Sequence, residues 1–417
     1  MENQKLIGSF KQAITLRNLP FKGAIKDSSL EILEDVGVWI IDGKIAEIDS
    51  FEVLVKKALD ENVDILELPA GNWVLTPGFV DCHTHICFAG NRSKDYALRI
   101  AGESYLNIAK AGGGILDSVR KTRAAEEEDL TGLTLMRTFE MLTEGVTTAE
   151  IKSGYGLSIE DELKMLRAIQ RVSLQTPMDV VSTCLAAHTL PPEFTDKKLY
   201  LDYLISELFP KIKEENLTKR IDIFVEETAF PYDLAKYYLQ KSKEAGFELT
   251  IHADQFSTAG SKLAIELEAL SADHLEASTD LEIKMFGESN TVAVVLPGAS
   301  LGLGMPFAPA RKLLDAGACV AISTDHNPGS APMGDLLLQA SVLAASQKLS
   351  SAETWAGITF RAAKALDLHD RGRLEKYFLA DMLAFACDDY REILYWQGKL
   401  KPELVWKNGE EVGKHLL

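Results

Sequence analysis

The sequence predicts an α/β protein: a (β/α)8 TIM barrel with a small β-sandwich domain formed from the N- and C-terminal segments. Three observations carry that expectation. Short apolar, β-branched runs alternate with longer amphipathic segments between residues 73 and 324, the pattern of βα units around a parallel sheet. Further strand-like segments lie before and after this array. The chain has 417 residues, 46% hydrophobic and 25% charged, a globular composition with room for a large core.

The head, residues 1–75, reads as short strands and turns. Within it, Val38–Ile48 holds two apolar segments around Asp42-Gly43, the strongest short hairpin signal. Eight barrel strands are expected at Trp73–Val80, Gly145–Ile151, Met178–Ala187, Ile221–Glu227, Glu248–Ala253, Leu270–His274, Thr291–Leu296 and Cys319–Thr324. Helical crossovers are expected at Glu126–Glu144, Ile159–Gln175, Leu199–Asn216, Tyr232–Ala245, Thr258–Leu267 and Ala310–Ala316. Eight such units fit a closed barrel. A doubly wound open sheet competes, but no G-x-G-x-x-G follows the first strand. Beyond the barrel, Ser351–Leu366 reads as a helix. Gly372–Leu394 returns to short strands, with Ala380-Asp381 at a turn. The domain boundaries are therefore placed at 1–75, 76–369 and 370–417.

Charge narrows the function classes. The chain carries 44 basic and 62 acidic residues, a net −18, which disfavours nucleic acid or an anionic membrane as partner. An anionic small substrate would need its own local arginine. Cys82, Cys87, Cys184, Cys319 and Cys387 include no C-x-x-C pair, and their odd number argues against a disulfide framework and for a reducing, cytoplasmic setting. Met1–Ser9 lacks the apolar run of a signal peptide. The uncharged stretch Ser289–Ala310 is interrupted by Pro297, Pro306 and Pro309 and does not read as a spanning helix.

The histidines concentrate the chemistry. Of His83, His85, His188, His252, His274, His326, His369 and His415, five fall at or just past the C-terminal end of an expected barrel strand, where barrel active sites are built. His83 and His85, two apart on an extended chain, share a face and can reach one ion. His252 ends the fifth strand and Asp325 the eighth. Each alone has a plain alternative, a buried histidine or a helix-capping aspartate. Together, three imidazoles and a carboxylate suit Zn²⁺ or Fe²⁺ with room for water. Asp81 could orient one imidazole or serve as a turn residue. His274, at the sixth strand's end, is either a proton carrier or a core histidine. Cys82 alternates to the opposite face and reads as packing.

These residues resemble a known family. Thr76–His85 (TPGFVDCHTH), a lone histidine after strand five, another after strand six and an aspartate after strand eight are similar to the metal-dependent amidohydrolase superfamily. Further segments narrow the likeness to the amidohydrolases that open an imidazolone ring in histidine degradation. They are Phe88–Arg92, Ala111–Ile115, Glu150–Leu157 (EIKSGYGL), Ala187–Glu193 (AHTLPPE), His252–Gln255 and Asp325–Ser330. The resemblance implies hydrolysis of 4-imidazolone-5-propanoate to N-formimidoyl-L-glutamate with one divalent ion, zinc or iron. By motif position it implies His83, His85, His252 and Asp325 as metal ligands. It also implies Arg92, Tyr155, His188, Gln255, Asn327, Gly329 and Ser330 as the lining of the substrate site. Arg92 is then the guanidinium for the propionate. His274 and Asp325 are left as proton carriers, because Gln255, where deaminase relatives carry a glutamate, does not titrate. Lys152 ends strand two, a poor place for the carboxylated lysine of two-metal relatives, so one ion is expected. A homodimer is the common default for such enzymes.

Overall fold

The computed structural model describes residues 3–103 and 112–412. Ala111 of the glycine-rich segment and His415 lie outside the described residues. Eight strands pair in parallel, each with the next in sequence: β6 (Phe79–Asp81), β7 (Val146–Lys152), β8 (Asp179–Ala187), β9 (Arg220–Ile223), β10 (Glu248–Ala253), β11 (Ser271–His274), β12 (Val292–Val295) and β13 (Val320–Ile322). All but part of β8 and the first residue of β10 are buried, as expected of strands covered on both faces. The sheet is a near-closed barrel. Its first and last strands meet at their C-terminal ends, where Asp325 N donates to His83 O (3.1 Å) and His85 N to His326 O (2.9 Å).

The crossover helices follow from patterning and caps. In Ile159–Ser173, Ser158 caps the first turn by accepting from Asp161 N, and three acidic residues complement the helix dipole. Ile159, Leu163, Leu166, Ile169 and Val172, three or four apart, form its buried stripe. Two expectations within the barrel region change. Ser351–Leu366 is two helices, Ser351–Gly357 and Phe360–Ala365, because Thr359 leaves helical geometry (φ −133°, ψ −107°). The expected strand Trp73–Val80 also divides, because the chain changes partner at Gly78. Trp73–Pro77 (β5) pairs antiparallel with a C-terminal strand, whereas Phe79 pairs with Val146 in the barrel.

Both chain ends share the second sheet: β1 (Gln4–Ile14), β2 (Ile32–Ile41), β3 (Lys44–Ser50), β4 (Asp64–Glu67) and β5 from the head, β14 (Met382–Ala386), β15 (Leu404–Lys407) and β16 (Glu410–Glu411) from the tail. The expected hairpin joins β2 to β3 through Asp42 (φ 48°) and Gly43 (φ 77°). Within Gly372–Leu394 only β14 is a strand, and Arg391–Tyr395 is a helix. Side chains alternate between two cores. Val74, Leu383, Phe385 and Val405 join the barrel core, while Leu75, Met382, Ala384 and Trp406 pack with Ile7, Phe10 and Val38 of the head. Phe10 and Trp406 meet edge to face at 6.1 Å in the second core, and the strands of both chain ends form one mixed sheet where a sandwich was expected. Among the described residues no helix is long and apolar enough to cross a membrane.

Candidate active site

Strand ends deliver the site. His83 and His85 follow β6, His252 lies in β10 and Asp325 follows β13, all buried. His85 Nε2 stands 3.1 Å from His83 Nε2 and 3.2 Å from His252 Nε2. Asp325 Oδ1 lies 3.4 Å from His85 Nε2 and 3.6 Å from His83 Nε2. Donors about 2.0–2.1 Å from a tetrahedral ion stand about 3.3 Å apart, and these four distances match that spacing.

Proton bookkeeping points the same way. His83 Nδ1 donates to Asp273 Oδ2 (2.6 Å) and His252 Nδ1 to Asp222 Oδ2 (2.8 Å). Both Nε2 atoms are then lone pairs aimed at His85 Nε2. One proton there could satisfy one contact and not both, whereas a cation satisfies all. Burial, then the positive charge of Lys152 and the neighbouring imidazoles, hold His83 well below the ordinary histidine range. His252 is depressed likewise by burial and by His85 and Lys152. Asp325 stays below its usual value: burial pushes up, but bonds from His85 and Ser330 and the charge of His274 outweigh it.

Asp81 does not orient an imidazole, contrary to one sequence reading. It accepts from Thr324 N (3.1 Å) and Thr324 Oγ1 (2.6 Å) and from Ser323 Oγ, so it stitches the first barrel strand to the eighth. Burial pushes its pKa to about 6. The orienting carboxylates are Asp222 and Asp273, which the sequence reading missed. Each was visible as a carboxylate in a short strand, flanked by apolar residues in Ile221-Asp222-Ile223 and set beside a histidine in Ala272-Asp273-His274. Cys82 packs with Val80, Val292 and Leu296 behind the site.

His274 is buried with its ring centroid 5.3 Å from that of His252 and 5.8 Å from that of His83. Its φ is 90°, and that of Asp325 is 53°, left-handed conformations that are costly for side-chain-bearing residues and typical of functional positions. His274 Nδ1 faces Glu276 Oε2 at 3.6 Å, and neither atom makes a hydrogen bond among the described residues. Burial lowers the His274 pKa, but Glu276 and Asp325 raise it further, for a net rise.

The mouth is lined by loops. His188 Nδ1 donates to Gly154 O (3.0 Å), its ring stacks on His85 at 5.5 Å, and burial above all lowers its pKa to about 3. Gly154 is required there: its φ is 114°, and a Cβ would stand 3.0 Å from His188 Nδ1. Tyr155 is buried, its ring 5.6 Å from His188. Glu162 shapes that loop by accepting from Gly156 N (2.9 Å) and Leu157 N (2.8 Å). Arg92 Nε donates to Asp95 Oδ2 (3.0 Å), which also accepts from Gly114 N (2.8 Å). The rest of the Arg92 guanidinium rests on Gly329, where an added Cβ would fall 2.2 Å from its Nη1. Arg99, not singled out in the sequence, donates to Gly329 O (3.1 Å).

Asn327 is spent within its loop. Its Oδ1 accepts from Gly329 N (2.7 Å) and Ser330 N (2.9 Å), and its Nδ2 donates to Asp325 O (2.6 Å). Ser330 Oγ donates to Asp325 Oδ2 (3.2 Å). Gln255 follows β10 and is buried.

With this geometry in place, comparison with known proteins decides the family. The model of the amidohydrolase family matches residues 74–412. An imidazolonepropionase of Myxococcus xanthus is 42% identical over 375 residues, 89% of either chain. One of Fusobacterium nucleatum is 39% identical over 417 residues, 99% of this chain and 100% of its own. The chain belongs to the imidazolonepropionases of the amidohydrolase family. A zinc-bound mutant atrazine chlorohydrolase of Arthrobacter aurescens shares the fold (TM-score 0.69, 17% identity, 98% of this chain and 95% of that one). Like other imidazolonepropionases this chain is a hydrolase, and its buried histidine–aspartate cluster is the metal-binding site typical of metal-dependent amidohydrolases.

Proposed function

We propose that this chain hydrolyses the cyclic amide of 4-imidazolone-5-propanoate to N-formimidoyl-L-glutamate in the cytoplasm, using one zinc or iron ion held by His83, His85, His252 and Asp325. One observation carries the reading: at the ends of strands one, five and eight, His85 Nε2 stands 3.1–3.4 Å from His83 Nε2, His252 Nε2 and Asp325 Oδ1, and His83 Nε2 lies 3.6 Å from Asp325 Oδ1. The near-full-length likeness to imidazolonepropionases favours this substrate over other cyclic amides. The free cysteines fit a reducing compartment.

A bound divalent ion supplies Lewis acidity, polarising a carbonyl and making a nearby water acidic near neutral pH. The protein's own groups do the rest. His274 or Asp325 takes the proton of the attacking water, and a proton is returned to the ring nitrogen as its bond to the carbonyl carbon breaks. Arg92, fixed by Asp95 and lying on Gly329, holds the propionate. Tyr155, His188 and Gln255 orient the ring. Asn327 and Ser330 act mainly by shaping the loop that presents Gly329 and Asp325.

The test is direct. Purified protein loaded with zinc or iron is incubated with 4-imidazolone-5-propanoate while the ultraviolet absorbance of the ring is followed. The expected result is loss of absorbance and formation of N-formimidoyl-L-glutamate without ammonia. Persistence of the ring, or release of ammonia, refutes the reading.

A further inference from the structure

Beneath the histidines lies a charged group that the reaction does not use. Lys152, the last residue of β7, is fully buried and reaches into the barrel interior. Its Nζ donates to Asp222 Oδ2 (2.8 Å), stands 2.7 Å from Glu150 Oε2 and lies 3.7 Å from Asp273 Oδ2. These are the oxygens that matter. Asp222 Oδ2 accepts the His252 Nδ1 proton, and Asp273 Oδ2 accepts the His83 Nδ1 proton. One ammonium therefore braces both carboxylates that aim the two imidazoles. No solvent reaches any member: the side chains of Lys152, Asp222 and Asp273 are 0% exposed.

We propose that Lys152 is a positioning residue of the metal centre, which sets the aim of His83 and His252 by anchoring Asp273 and Asp222 from below. Three buried carboxylates around one point repel each other; Ile223 N and His252 N hold Asp222 Oδ1 and Thr250 Oγ1 holds Asp273 Oδ2, and the Lys152 ammonium adds the positive charge that offsets the repulsion between them. A methionine in this place fills the space and leaves the carboxylates free to turn away from one another. The adjacent Arg220 does not replace it: its Nε stands 3.9 Å from the other oxygen of Glu150, Oε1, and among the described residues it makes no ion pair with Asp222 or Asp273. The same contacts exclude a carboxylated lysine, because an amine carrying a carboxylate would set a fourth anion among these three.

The inference rests on the ligand set proposed above, and its test separates the two. Zinc dissociation constants are measured by chelator competition, and the visible absorption of Co²⁺-loaded protein is recorded, for the natural chain, Lys152→Met and Lys152→Gln. Partners of metal-bound histidines typically contribute about 10–100-fold to metal affinity. The expected result is zinc binding weakened by about that factor in both variants, with an altered cobalt spectrum. Lys152→Gln keeps a hydrogen-bond donor and serves if Lys152→Met does not fold. Zinc affinity within twofold of the natural chain together with an unchanged cobalt spectrum overturns the proposal, whatever the melting temperatures. Failure of the natural chain itself to bind zinc or cobalt would instead overturn the ligand set.

Discussion

His274 shows what one residue can disclose. It stands beside the four converging atoms, on a backbone held at φ 90°, with a carboxylate 3.6 Å behind its ring. One geometric grouping even places it with His83 and His252 as a possible ligand trio. With His83, His85, His252 and Asp325 proposed as the ligands of a four-coordinate ion, His274 is left the role of proton carrier. His274→Ala is therefore expected to cut kcat by about 10²–10⁴-fold, the usual contribution of a general acid or base. Its metal content, read by atomic absorption, should stay equal to that of the natural chain. Loss of metal along with turnover would make His274 a ligand instead.

At the scale of elements, the site is the meeting of two loops. The loop after β6 carries Arg92 and the loop after β13 carries Gly329, and they touch where only a glycine leaves space for the guanidinium. Gly329→Ala is expected to displace the end of Arg92, a flexible group that can move at little cost to stability. A charge-assisted hydrogen bond contributes about 1.5–3 kcal/mol, so KM should rise about tenfold or more. The melting temperature should hardly change; steady-state kinetics and a thermal melt check both. This contact could not be read from the chain, because Arg92 and Gly329 are linked only by barrel closure. What was legible was periodic or positional. The βα alternation gave the barrel, Asp42-Gly43 the hairpin, and histidines at strand ends the metal cluster. What was not legible depended on which neighbour won a hydrogen bond. Asp81 lies two residues before His83 and looked like its partner, yet it is held by Ser323 and Thr324 across the seam. Asp273, 190 residues away, took the imidazole. Trp73–Val80 is one apolar run whose two halves belong to different sheets, which no local pattern reveals.

For the whole molecule, the consequence of the proposed ligand set is that the metal site lies on the seam of the barrel. Strands β6 and β13 do not pair along their length. They meet through Asp81 with Ser323 and Thr324, and through the backbone bonds of His83 with Asp325 and of His85 with His326. Three of the four proposed ligands thus lie on the seam itself, and the fourth lies on β10. An ion that ties His83 and His85 to Asp325 would add to the bonds that close the cylinder there. Binding to the folded state alone stabilises it by about 4 kcal/mol when free metal is 1,000 times the dissociation constant. Removal of metal with a chelator is accordingly expected to lower the melting temperature by several degrees, and added zinc to restore it. Amide exchange should quicken first at residues 81–85 and 323–326, before it changes in the helices outside the barrel. A melting temperature indifferent to chelator, or exchange that rises evenly over the chain, would show that the seam holds without its ion. Asp81 and the two backbone bonds would then carry the closure between them, and Asp81→Ala would loosen it in the metal-loaded protein as readily as in the stripped one.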